Sequence, residues 1–104
     1  MKNDREFNIL LIDFYGSLLT KHQNEILDEY YNLDHSMSEI ADNYSISKAA
    51  VQDLISRSLV QLNGYEKHLK LIQKDNKLDI ILNEMYDSDN ELLHKYAKRI
   101  DKVK

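Results

Sequence analysis

In the stretch SKAAVQDL (residues 47–54), Ser47, Lys48 and Gln52 bring a hydroxyl, an ammonium and a carboxamide close together. On a helix, Lys48, Ala49, Gln52, Asp53 and Ser56 point to one side, while Val51, Leu54 and Ile55 point to the other. Such groups at the start of a helix, beside a small alanine, are the ones that meet base edges and phosphates in a groove. Arg57, Lys67 and Lys70 add cations for phosphate contacts farther along. Charge works against that chemistry: residues 36–55 hold one lysine against Glu39, Asp42 and Asp53. A solvated helix face without a ligand therefore competes evenly with nucleic-acid contact.

Other chemistries find less support. His22, His35, His68 and His94 lie far apart with no histidine at i+4, so no metal site is expected. The acidic run DSDNE (residues 87–91) has leucine and lysine where a calcium loop needs glycine and glutamate, and reads as a helix cap. There is no G-x-S-x-G and no phosphate loop, so the chain is expected to have neither enzymatic activity nor a cofactor. With no cysteine, disulfides and thiolate chemistry are excluded. Tyr15, Tyr30, Tyr31 and Tyr44 could stack on unpaired bases, but their helical spacing favours the core. Tyr65 and Tyr86 could equally anchor an interface.

The elements that position these residues are all helical. There is no proline, there are two glycines, and no stretch alternates long enough to be a strand. A first helix is expected over residues 6–19, with Phe7, Leu10, Leu11, Phe14 and Leu18 facing inward. Three capping boxes are read at Thr20/Gln23, Ser36/Glu39 and Ser88/Glu91, each starting a helix. After Ser36, the residues Met37, Ile40, Ala41 and Tyr44 fall at helical spacing. Ser45 and Ile46 make the turn, and Ser47 caps the next helix. Ala41, Ile46, Val51 and Leu54 occupy the small and apolar positions of a helix-turn-helix. The turn position usually held by glycine is Ser45.

Past Ile55 a heptad seam of Val51, Ile55, Ser58, Leu62, Tyr65, Leu69 and Ile72 suggests one long helix, with a bend possible at Gly64 and a loss of phase at residues 74–77. New stripes follow at Leu78, Ile81, Leu82 and Met85, and then at Leu92, Leu93, Tyr96, Ile100 and Val103. The expectation is a single helical domain over residues 1–104, with its helix-turn-helix at 36–58 and a C-terminal helical extension at 59–104. Leu62, Tyr65, Leu69 and Ile72 lie beyond the helix-turn-helix core, and pairing of two long helices would cover them. A homodimer is therefore expected, with folding-back of the C-terminal stripes as the alternative.

The net charge of −4 is uneven: residues 1–46 carry −6, residues 47–74 carry +3 and residues 75–104 carry −1. No run approaches the roughly 18 apolar residues of a membrane span, and the start MKNDREF has no apolar signal-peptide body, so no membrane partner and a cytoplasmic location are expected.

Three blocks, DFYGSLLTKHQ (13–23), YYNLDHSMSEIADNYSISKAAVQDLISRS (30–58) and GYEKHLKL (64–71), resemble the YlxM family of helix-turn-helix proteins. The resemblance implies a module similar to the promoter-reading region of bacterial sigma factors. It also implies genes lying beside those of the signal recognition particle, and hence a regulatory or accessory role in protein targeting. The family's S-R-x-A-V opening becomes Ser47, Lys48, Ala49, Ala50 and Val51, with lysine in place of arginine, and of the basic pair near residue 56 only Arg57 remains. The leading expectation is an accessory protein binding the particle's RNA or its GTPase. The alternative is a DNA-binding transcriptional regulator using Ser47, Lys48, Ala49 and Gln52 on base edges. A third reading, a pure protein-interaction module, would gain if another part of the chain covered the outward helix face.

Overall fold

The structure, a computed structural model, describes residues 4–104. Among these the regular elements are all helical: α1 (Asp4–Tyr15), α2 (Lys21–Tyr31), α3 (Met37–Tyr44), α4 (Lys48–Leu69), α5 (Leu71–Asp87) and α6 (Glu91–Val103), with a 3-10 turn at Gly16–Leu18. The chain forms two compact units, one ending at Ile72 and one running from Gln73 to Lys104. Residues 59–72 fall in the first of these units.

In the first unit α4 is the central element, touched by α1, α2 and α3. Its inward side carries Val51, Ile55, Ser58 and Leu62. Val51, Ile55 and Leu62 meet Leu11, Ile12 and Tyr15 of α1, Ile26, Leu27 and Tyr31 of α2, and Ile40 and Ala41 of α3 in one apolar cluster. Ser58, fully buried, accepts a hydrogen bond from the Gln23 amide at 3.1 Å, so its hydroxyl is not orphaned in the core. The same Gln23 closes the capping box with Thr20, its Oε1 accepting from the Thr20 backbone N–H at 2.9 Å. The tyrosines of the first half are core groups: Tyr15 and Tyr31 are buried, and Tyr30 and Tyr44 pack against the cluster.

Helix ends differ from the sequence reading in three places. The first helix stops at Tyr15 and tightens into the 3-10 turn, leaving Leu19 extended before the Thr20 cap. The long helix runs through Gly64 without interruption and ends at Leu69, where Lys70 takes a left-handed conformation (φ 57°). The heptad seam therefore spans two helices, Ile72 belonging to α5. Tyr15 and Glu66 cap the break from a distance in sequence. The Tyr15 hydroxyl accepts from Leu71 N–H at 3.0 Å and donates to Glu66 Oε1 at 2.5 Å, while Glu66 Oε1 also accepts from Ile72 N–H at 3.0 Å. No local spacing announces a cap drawn from α1. Finally, α6 is capped by Asn90, whose Oδ1 accepts from Leu92 N–H at 2.9 Å. Ser88 instead accepts from Asn90 N–H, so there is no Ser88/Glu91 box.

The second unit buries Leu82 of α5 and Ala97 of α6. The two helices are also joined by Tyr86 donating to Asp101 at 2.5 Å and by Lys104 ion-paired with Asp75 and Asp79.

Candidate functional site: the exposed face of the helix-turn-helix

The first helix of the motif is held at both ends. At its start, Ser36 Oγ accepts from Glu39 N–H at 3.0 Å and Glu39 Oε1 accepts from Ser36 N–H at 2.9 Å, a bond that keeps the Glu39 carboxyl below its usual range. At its end, Ser45 is left-handed (φ 55°), and Ile46 N–H reaches back to the Ala41 carbonyl at 3.0 Å. This six-to-one closure satisfies an otherwise orphaned carbonyl and swings Ile46 onto the core. Serine tolerates here the conformation glycine would adopt without strain.

Glu29 of α2 locks α3 in place. Its carboxylate receives hydrogen bonds from Tyr44 and from Asn43 Nδ2 (3.3 Å) and lies 3.0 Å from His35 Nδ1. The bond from Tyr44 contributes most to holding the Glu29 carboxyl below its ordinary range, and the reciprocal effect of Glu29 pushes the Tyr44 phenol up to about 12. The sequence reading missed Glu29. A carboxylate in the last turn of an amphipathic helix has no signature until α3 folds against it.

Four of the expected contact residues come together at the start of α4. Ser47 is the N-cap, its Oγ accepting from Ala50 N–H at 3.0 Å, and Lys48, Ala49 and Gln52 are exposed on the outward side. A serine hydroxyl keeps its proton while accepting, so Ser47 can still donate. Arg57 is exposed too, but its Nε sits 3.0 Å from Asp53 Oδ2, so the two charges offset each other. Lys67 and Lys70 are exposed near the far end, with about 28 Å of helix axis between Lys48 and Lys67. The seven residues do not make one patch. Glu39 and Asp42 are also exposed, on the adjoining α3.

The residues expected at a dimer interface divide. Leu62 (0% exposed) and Ile72 (4%) are enclosed by their own chain, Tyr65 is partly buried with its ring 6.0 Å from that of Tyr15, and Leu69 is 45% exposed. The premise that Leu62 and Ile72 need a second copy to cover them is corrected: α1 and α2, not only the helix-turn-helix, reach that part of α4 and enclose the seam. Among the described residues no group of three histidine or acidic side chains is placed to hold a metal ion. His22 packs edge-on to the Tyr44 ring, and His94 meets the Ser88 carbonyl. Among the described residues no helix is long and apolar enough to cross a membrane.

This geometry has close relatives in sequence. The chain is 39% identical to a UPF0122 protein of Acetivibrio thermocellus over 106 residues, covering 90% of this chain and 91% of the relative. It is 39% identical to one of Clostridium kluyveri (91% and 86% covered) and 40% identical to one of Staphylococcus epidermidis (89% and 86% covered). A family described as "Putative helix-turn-helix protein, YlxM / p13 like" matches residues 2–103, and this all-helical chain, with its capped α3–turn–α4 unit, belongs to that UPF0122 family.

Proposed function

We propose that the protein is a non-enzymatic cytoplasmic accessory factor of the signal recognition particle pathway, docking through its helix-turn-helix on the particle's RNA or on its GTPase. The choice of pathway rests on the resemblance described above. The observation that carries the mode of binding is the charge state of the outward face of α4. That face is exposed and hydrogen-bonding at Lys48 and Gln52, yet Arg57 is paired with Asp53. Each phosphate neutralised on a duplex adds affinity, so so few available cations leave little grip on DNA as a polyanion. A helix cannot enter the deep major groove of A-form RNA either, and contact with RNA would use Lys48, Lys67 and Lys70, joined by Arg57 once it exchanges Asp53 for a phosphate, on phosphates or an unpaired loop. The test is binding of the particle RNA and of the purified targeting GTPase, separately, at low and physiological salt. Binding to one identifies the ligand class, and binding to neither removes the reading.

A second reading, a sequence-specific DNA-binding regulator, is favoured by the assembly of Ser47, Lys48, Ala49 and Gln52 at the exposed N-terminal end of α4, where base edges are met. Two half-sites would then require the protein to pair. A genome-wide selection that enriches a motif, lost on Gln52→Ala, supports this reading, and selection without enrichment rejects it.

A further inference from the structure

The last helix is chemically unlike the rest of the chain. Along α6 the side chains of Leu92, Tyr96 and Val103 are 56%, 44% and 83% exposed, although helical spacing puts them in one stripe. Ala97, on a different side of the helix, is the residue it buries. The cations Lys95, Arg99 and Lys102 recur at steps of four and three and border that stripe, all of them exposed. Arg99 lies over the Tyr96 ring at 5.3 Å, and with Lys102 it lines a shallow concavity whose other walls are Tyr96, Ile100 and Val103. Of the two acidic side chains of α6, Asp101 is engaged by Tyr86 and Glu91 lies in the first turn, outnumbered by Lys95, Lys98, Arg99 and Lys102, while Lys104, just past the helix, pairs with Asp75 and Asp79. In a chain of net charge −4, the surface of α6 is therefore cationic as well as apolar.

We propose that this face of α6 is a docking surface for an anionic lipid bilayer, on which the helix lies in the interfacial plane. Charge complementarity selects the occupant. A second copy meeting this face through a two-fold axis would set Lys95, Arg99 and Lys102 against the same residues, an arrangement that like-charge repulsion opposes. A bilayer bearing acidic headgroups offers phosphates to the cations and acyl chains to Leu92 and Val103. It does so without the matching shape that a shallow concavity would demand of a protein. Tyr96, with an apolar ring and a polar hydroxyl, suits the headgroup level. The proposal concerns a helix outside the helix-turn-helix and stands whichever ligand that motif takes.

The experiment is co-sedimentation of the full chain with vesicles of phosphatidylcholine alone and of phosphatidylcholine mixed equally with phosphatidylglycerol, at low and high salt. Binding is expected only to the anionic vesicles and is expected to weaken with salt. Lys95→Gln with Lys102→Gln should lower the affinity about thirtyfold, at roughly one phosphate-scale interaction per lysine. Leu92→Ser with Tyr96→Ser should abolish binding while far-UV circular dichroism stays unchanged, since neither side chain is buried. Equal binding to both vesicle types, or binding to neither, overturns the proposal. Capture by polyglutamate in place of vesicles would make the partner an acidic protein, and conversion of a dimer to a monomer by the Leu92→Ser/Tyr96→Ser variant would make the face a self-association surface. Either result also overturns it.

Discussion

Tyr15, at the end of α4, and Ser45, in the turn before it, each shape the chain on one side of that helix, and each can be tested by itself. Tyr15 joins α1 to the α4–α5 break by bonding both Glu66 and Leu71 N–H. Its phenol is raised above the ordinary value by burial, with the bond to Glu66 acting in the same direction. Tyr15→Phe keeps the ring but removes the acceptor of the Leu71 N–H and one of the donors to Glu66, which still accepts from Ile72 N–H; the loss should cost about 1–3 kcal/mol, read as a lower urea midpoint with unchanged slope. Ser45 poses the opposite case. A left-handed non-glycine residue costs roughly 1–2 kcal/mol, part of which glycine would return as lost chain entropy. Ser45→Gly should therefore raise stability by about 0.5–1 kcal/mol. An unchanged or lower thermal midpoint would show that the serine side chain contributes something the backbone geometry does not reveal.

At the scale of elements, the α2–α3 lock gives stability a pH signature at both extremes. Glu29 has a folded-state pKa below its unfolded value, so its contribution is present above the ordinary carboxylate range and disappears as pH falls through the folded value. Tyr44 has the reverse sign: raised from 10.0 to about 12, it contributes fully below pH 10 and loses that contribution as pH climbs toward 12. Denaturation followed against pH should show both losses. Tyr44→Phe should reduce the alkaline loss without eliminating it, because Tyr15 and Tyr31 are also raised. A profile identical to that of the unmodified chain above pH 10 would mean that Tyr44 does not bond Glu29. Within α4 itself, a Cβ added at Gly64 would meet nothing within 4 Å. Gly64→Ala should then raise the thermal midpoint by the helix-propensity difference, about 1 kcal/mol.

For the whole molecule, the placement of the seam residues decides what a charge there would do. Leu62 is fully buried in the cluster of the first unit, so Leu62→Asp should cost on the order of 4 kcal/mol or more, a large part of what a small domain possesses. Loss of the cooperative melt of residues 4–72 is the expected outcome at any protein concentration. Leu69, 45% exposed at the end of α4, is the position that separates fold from assembly. Leu69→Asp should leave the melting curve within about 0.5 kcal/mol of the original, as for surface substitutions generally. If sedimentation shows self-association of the unmodified chain that Leu69→Asp removes, the pairing surface lies at that end of α4.

Sequence alone was enough for the local chemistry of the motif. The Thr20/Gln23 and Ser36/Glu39 boxes, the Ser47 cap and the outward set Lys48, Ala49, Gln52, Asp53 and Ser56 all follow from spacings of three and four residues, and the structure places each where those spacings put it. Such features depend on interactions within one or two turns, which a linear reading contains. Tertiary structure decided what depends on distant partners. The long helix breaks at Lys70 because Tyr15, from α1, and Glu66 receive the amide groups that open α5, while Gly64, the local weak point, remains helical. Leu62 and Ile72 are core residues because α1 and α2 reach farther along α4 than the helix-turn-helix pattern requires. Glu29 matters because α3 brings Asn43 and Tyr44 to it. Each of these outcomes joins residues that a heptad or a capping pattern does not relate, and only packing brings them within reach.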